Sequence, residues 1–340
     1  MIEFFHTVRS FIYEYLPNQK SVSKNTQASY NTAIELFVAF MRDEKKYSAK
    51  KISFSSIDRG LIIEFLDWLE NDRGCKAATR NQRLMALRSF FNYAGILDCT
   101  QTALYIDALN IPLKSDDSKV ISYLSEPAFA ALLKQPNIRK KTGLRNLTFM
   151  ILMYDTAARC SELLNMRIRD LKLNSKHPIA YLHGKGGKTR TVPLLEKTVQ
   201  HCKRYLKRFH PDEKFDSEEY LFYTVSHERH NQMSHDTVAY FMKKYAETAV
   251  LECPEMPEEI RPHMIRHTRA MHLYQHNMPL NMIMEYLGHA SIETTRIYAY
   301  ADTEIKRAAL QKIENDNPAN DIQIGIWEDD EDTIRKLLGR

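Results

Sequence analysis

Four short stretches of this chain carry side chains whose chemistry converges on a phosphate. In Pro262-His263-Met264-Ile265-Arg266-His267, the proline suits the first turn of a helix, which sets His263 and Arg266 one turn apart on one face. Both can then address one anion near the positive end of the helix dipole. Ala157-Ala158-Arg159-Cys160-Ser161-Glu162-Leu163 offers a second guanidinium near a helix start, with Glu162 placed to orient it. Gly184-Lys185-Gly186-Gly187-Lys188-Thr189 holds Lys185 at a glycine-rich tip, where a flexible ammonium can approach a phosphate or donate a proton. Leu287-Gly288-His289 is followed, nine residues after its histidine, by Tyr298.

Simpler readings compete with each stretch. The glycine-rich tip superficially resembles a phosphate-cradling loop, but such a loop needs a glycine where Leu182 stands and leads into a helix rather than a strand, so nucleotide hydrolysis is rejected. His263 and His267 are four apart, as zinc ligands can be, yet Arg266 and Arg269 beside them disfavour a divalent cation, and no metal site is expected. His267, His272 and His276 are read as packing and surface polarity. Tyr298 is one of 18 tyrosines and could be a core residue. Against that, Ser291 can cap a short helix carrying Tyr298 near its far end, at a junction with the C-terminal tail.

Each pair is weak alone, but their order is specific. Arg159 with Glu162, Lys185 in Gly-Lys-Gly-x-Lys-x-Arg-x-Val-Pro-Leu, His263-x-x-Arg266-His267, and Leu287-Gly288-His289 followed by Tyr298 resemble the tyrosine recombinase (phage integrase) family. The resemblance is most specific over residues 155–300, looser over the N-terminal block, and departs from the family at no catalytic position. It implies that Tyr298 attacks a DNA phosphodiester and forms a 3′-phosphotyrosyl bond. Arg159 and Arg266 would clamp the non-bridging oxygens, and Lys185 would protonate the leaving 5′ oxygen. His263 would act as general base or proton acceptor near Tyr298, and His289 would donate a hydrogen bond to the phosphate. Such a donor set needs no metal, and a covalent intermediate conserves the phosphodiester bond energy, so no cofactor is expected. The family also uses the segment after its tyrosine to pack on a neighbouring protomer. Residues 303–340 would then help assemble a homotetramer on paired sites in double-stranded DNA.

The elements that must position these residues are mainly helical. The expected fold is mainly α with a small β-hairpin or sheet: a helical N-terminal core-binding domain and a mixed α/β tyrosine-recombinase catalytic domain. Apolar residues recur at helical spacing through Tyr30, Ile34, Phe37 and Val38, then over 61–70 and 78–94, where Leu84, Leu87, Phe90 and Phe91 form the stripe. Lys76, Thr79, Arg80 and Arg83 lie near the start of the last of these, as donors would on a helix entering a major groove. For this helix alone, an exposed basic face on a structural helix is the favoured reading. Pro112 opens a polar, aperiodic stretch read as a linker. Ser125-Glu126-Pro127 starts a helix near 126–135, followed by helices near 144–155 and 160–166. Residues 179–194 read as a β-hairpin. Further helices are expected near 196–208, 235–249, 263–277, 280–287 and 292–298. The expected organisation is a SAM-like DNA-binding domain over 1–112, a linker over 113–121, a catalytic domain over 122–302 and an acidic tail over 303–340.

Composition bounds the partners. The 340 residues suit two domains, and a net charge of +5 looks mild. It hides segregation: residues 131–210 hold 18 basic and 4 acidic residues, whereas 301–340 hold 6 and 10. The basic block contains Arg159, Lys185, Lys188 and Arg190, and a phosphate backbone is the commonest partner of such an excess. Lys188 and Arg190 are therefore candidate DNA contacts. Five scattered cysteines without a Cys-x-x-Cys pair fit a reducing, cytoplasmic setting, nucleoid-associated when DNA is bound. No apolar run long enough to span a membrane occurs, and no signal peptide is read at Met1-Ile2-Glu3. The leading expectation is a site-specific DNA recombinase serving integration, excision or transposition of a mobile element, or chromosome-dimer resolution. The alternatives are a type IB topoisomerase-like activity, a non-catalytic DNA-binding accessory protein, and a metal-dependent nuclease or hydrolase built on the histidines.

Overall fold

Large apolar side chains at helical spacing build the first part of the molecule. In the computed structural model, which describes residues 3–115, 122–184, 187–226, 229–289 and 291–301, the chain divides into units Met1–Lys119 and Val120–Arg340. Helix α1 (Phe4–Ser10) runs directly into a π-helical stretch, Phe11–Gln19. Then come α2 (Lys24–Asp43), α3 (Arg59–Asn71), α4 (Ala77–Leu97) and α5 (Thr102–Leu109). Ser23 caps α2, and Asp58 caps α3 by accepting the Leu61 N–H at 2.7 Å. Phe11, Phe37, Phe65, Phe90 and Phe91 are fully buried, with Phe37 and Phe65 meeting edge to face at 5.0 Å.

This packing corrects one expectation. Arg80 is 4% exposed, with its Nε 3.4 Å from Glu70 of α3 and its Nη1 donating to the Pro112 carbonyl. It lies inside its own unit rather than on a face offered to a groove. Arg83 is half-buried and donates to the Ser29 carbonyl at 3.1 Å. Lys76 is exposed at the N-terminus of α4, and Thr79 is half-buried one turn on.

The second unit begins with α6 (Glu126–Lys134), α7 (Lys141–Thr156) and α8 (Cys160–Leu164). Ser125 caps α6 by accepting the Ala128 N–H, with a proline in the first turn. Strands β1 (Leu171–Lys172), β2 (Ile179–His183) and β3 (Thr189–Pro193) form an antiparallel sheet in chain order. Helix α9 (Glu196–Phe209) leads to a separate two-stranded hairpin of β4 (Tyr223–Ser226) and β5 (Arg229–Gln232). Helices α10 (His235–Ala249), α11 (Pro262–Gln275), α12 (Leu280–Leu287) and α13 (Glu293–Ala301) complete it. Helix α7 is buried around most of its circumference and forms the centre of the unit. At its start a Cβ on Gly143 would stand 2.0 Å from the Asn137 carbonyl oxygen, so only glycine allows the chain to pass there.

The fold is mainly helical with small antiparallel sheets, and the expected helices and the 179–194 hairpin are present. Helices α1 and α5, the π-helical stretch, β1 and the β4–β5 hairpin had no counterpart in the sequence reading. The linker residues 116–121, Lys185, Gly186 and the tail 303–340 lie outside the described residues.

Candidate active site

Local backbone features place each charged group. Helix α7 ends at Ala157, in left-handed conformation at φ 46°, which turns the chain sharply into Arg159 at the start of α8. Glu162, in the first turn of α8, accepts the Arg159 backbone N–H and its Nη1, each at 2.8 Å. The sheet register then brings a third group. Ala180 pairs with Val192 and Leu182 with Arg190, so Arg190 shares the face of the sheet that carries buried Ala180, Leu182 and Val192. Its guanidinium grips Glu162 with two bonds, at 2.8 and 2.9 Å. Glu162 thus anchors two arginines, and despite burial their charges and hydrogen bonds hold its carboxyl below the usual range. Arg190, expected as a DNA contact, is aimed at Glu162. Lys188 is exposed on the same hairpin. A Cβ on Gly184 would stand 3.4 Å from Glu162 Oε1, so the glycine-rich turn starts against this carboxylate.

Arg266 reaches the same place from α11. It is 4% exposed, and its Nη1 and Nη2 donate to the carbonyls of Ala157 at 2.7 Å and Leu287 at 2.6 Å. These two bonds leave three of its five N–H donors for another acceptor. Burial and the like charges of Arg159 and Arg190 pull its pKa down to about 10, so it remains a cation at neutral pH. Gly288 ends α12 at φ +64°, and a Cβ there would stand 3.0 Å from Arg190 Cδ. That glycine lets the chain close over Arg190 and deliver His289.

Three histidines line the arrangement. His289 Nδ1 is 2.9 Å from the hydroxyl of Thr295, and burial, followed by the charges of Arg266 and Arg159, lowers its pKa to about 4. The ring is neutral at pH 7. If Thr295 donates to Nδ1, the proton sits on Nε2, which becomes a donor. His263 is also held below its usual value by partial desolvation and by the charges of Arg266, His235 and Arg159. The third is His267, read from sequence as packing. Its Nδ1 lies 2.9 Å from the hydroxyl of Tyr298. The i,i+4 relation to His263 contained the signal, since it sets His267 on the same helix face as His263.

Tyr298 itself departs from expectation. It is fully buried, packed with Ala157, Ala270, Met271, Ile283 and Leu287. Thr295 and Tyr298, three apart on α13, form the inward face of that helix, and Ser291 caps its start through the Glu293 N–H at 3.2 Å. Burial pushes the phenol up to about 12, with Arg266 opposing. The structure therefore brings together Arg159, Glu162, Arg190, His263, Arg266, His267, His289 and Tyr298. The remaining histidines act elsewhere: His272 bridges the Tyr154 hydroxyl and the Leu124 carbonyl, and His276 meets Glu126 at the surface. Among the described residues, no three His, Cys, Asp or Glu side chains are grouped to hold a metal, and no helix is long and apolar enough to cross a membrane.

Comparison with known proteins places the chain in a family. Residues 122–304 match the phage integrase family, and residues 11–95 match its N-terminal SAM-like domain. A Sinorhizobium fredii protein named as an integrase/recombinase (y4rC) is 31% identical over 306 residues, covering 90% of each chain. Tyrosine recombinase XerD of Pseudomonas aeruginosa is 28% identical, covering 87% of this chain and 91% of its own. In fold, the chain resembles the XerH site-specific recombinase bound to its difH substrate (TM-score 0.65, 23% identity, 87% and 82% coverage). It also resembles the Tn1549 transposon integrase in complex with transposon right end DNA (TM-score 0.67, 16% identity, 90% and 98% coverage). With both its domains so matched, this chain belongs to the phage integrase family of tyrosine recombinases.

Proposed function

We propose that this enzyme is a site-specific DNA recombinase that cuts and rejoins strands through Tyr298. The observation that carries the reading is the pairing of Arg159 and Arg190 on the Glu162 carboxylate, with a third guanidinium, Arg266, held close enough for their charges to act on it and on Tyr298. Burial first, and then the charges of Arg159 and Arg190, hold the Arg266 pKa down, and an entering anion would relieve that excess positive charge. A phosphodiester fits that need. Arg159 and the free donors of Arg266 bind its non-bridging oxygens, and Glu162 and Arg190 hold Arg159 in place. His289, neutral, donates through Nε2. Tyr298 Oη passes its proton to a neutral imidazole of α11 as it bonds to phosphorus, the bond to the 5′ oxygen breaks, and Lys185 supplies that oxygen's proton. His263 lies on the same helix face as a second imidazole near the phosphate.

We further propose that the tail 303–340 joins protomers into a homotetramer on two paired sites of double-stranded DNA. Integration, excision or transposition of a mobile element and chromosome-dimer resolution are the roles this chemistry serves, in the cytoplasm at the nucleoid. A nicked duplex library with randomised arms tests the reading, because strand loss beyond the nick traps the covalent adduct. An adduct formed in excess chelator and lost in Tyr298→Phe is expected. Relaxation of plasmids lacking any selected site, with no exchange between sites, points instead to a type IB topoisomerase activity.

A further inference from the structure

A buried phenol does not ionise by itself. Burial pushes the Tyr298 phenol up to about 12, so it is protonated at neutral pH. The proton must therefore leave as the new bond forms, to a group already touching Oη. The structure places one such group there, His267 Nδ1 at 2.9 Å, with the rings 5.9 Å apart. The imidazole is half-buried on α11, directly after Arg266 in the chain.

We propose that His267 is a catalytic residue, the proton acceptor of the tyrosine nucleophile. This rests on Tyr298 being the attacking residue. In cleavage the Oη–H bond breaks and an Nδ1–H bond forms. The Oη–phosphorus bond forms while the bond to the 5′ oxygen breaks, and that oxygen takes its proton from the general acid assigned above to Lys185. In rejoining, the 5′ hydroxyl displaces Oη, and the imidazolium of His267 returns its proton to the departing phenolate.

The surroundings prepare the ring for this part. The charged and titratable groups facing it among the described residues are His263 and Arg266 on its own helix, His289 ahead of α13, and Tyr298 on α13. Burial, with His263 and Arg266, holds its pKa below 6.5, so at neutral pH the ring is uncharged and able to accept. Arg266 stabilises both the developing phenolate and the phosphate, but it cannot accept a proton.

The test compares single-turnover cleavage by the full chain and by His267→Leu and His267→Asn from pH 5 to 9. It uses a nicked duplex recovered by adduct capture, with either an ordinary phosphodiester or a 5′-bridging phosphorothiolate at the scissile position. A sulfur leaving group needs no acid, so its rate isolates activation of the nucleophile. His267→Leu is expected to slow both substrates by about 100-fold at unchanged DNA affinity. His267→Asn puts an amide where Nδ1 stands and holds the hydroxyl without accepting its proton. It is expected to stay slow and to lose the fall in rate expected of the wild type as the pH drops through the His267 value, which lies below 6.5. If His267→Leu does not fold, His267→Asn carries the test alone. Cleavage by either variant at or above the wild-type rate on both substrates overturns the proposal and makes the bond a latch that stores the tyrosine. Should Tyr298→Phe still form the adduct, the underlying assignment of the nucleophile fails instead.

Discussion

Glu162 shows what a single side chain does here. It is almost completely buried, yet it is charged because Arg159 and Arg190 surround it. Glu162→Gln leaves two guanidiniums without their counter-charge and is expected to cost about 3 kcal/mol at pH 7 in chemical denaturation. The folded carboxyl titrates below the usual 4.5, so this contribution is complete above that pH and fades as the pH falls through the folded value. The stability gap between wild type and Glu162→Gln should accordingly narrow in acid. A gap independent of pH contradicts the ion-pair account. His289 gives a second residue-level expectation. Thr295→Val removes the hydroxyl that lies 2.9 Å from His289 Nδ1 and should reduce single-turnover cleavage about 10-fold, with Thr295→Ser retaining most of the rate. Ring nitrogen shifts of His289 read the same change directly. The ordered motifs made Arg159, Glu162, His263, Arg266 and Tyr298 legible from sequence, because their types and spacings encode chemistry. The partner of the Tyr298 hydroxyl was not, since it depends on how α13 packs against α11.

Among the elements, helices declared themselves wherever one face is apolar and the ends are capped. The stripe of Leu84, Leu87, Phe90 and Phe91 located α4, and Ser125 with Pro127 located the start of α6. Strands β4 and β5 are four residues each, and all of β5 is exposed, so no alternation of apolar and polar residues marks them. Arg80 was misplaced for a related reason: its burial is caused by Glu70 on a different helix. Two glycines are required by close approach. Gly288→Ala combines a left-handed backbone with a contact at Arg190 and should lower stability by about 1 kcal/mol while slowing cleavage, as His289 shifts with it. Gly143→Ala drives a methyl into the Asn137 backbone and should lower the midpoint of thermal unfolding markedly, with no selective effect on catalysis in the molecules that fold. Unchanged melting of both variants contradicts the packing described.

For the whole molecule, the net charge of +5 conceals a strongly basic 131–210 block and an acidic 301–340 segment. DNA affinity should therefore fall steeply with salt, by about 10³-fold between 50 and 200 mM if about six phosphates are neutralised. Deleting 303–340 should impair assembly on paired sites more than binding to one site. Equal losses of both contradict that division of labour. Titration of labelled duplex at several salt concentrations, with and without the tail, measures both. The central claim is chemical, however, and belongs to one oxygen atom. Trypsin cuts after Arg296 and Lys306, so the nucleophile lies in the peptide Ile297-Tyr298-Ala299-Tyr300-Ala301-Asp302-Thr303-Glu304-Ile305-Lys306, which contains two tyrosines. Mass spectrometric fragmentation of that peptide from a trapped and nuclease-trimmed adduct locates the bound nucleotide. The nucleotide is expected on Tyr298, with no adduct from Tyr298→Phe; a nucleotide on Tyr300 or on any other residue contradicts Tyr298 as the nucleophile.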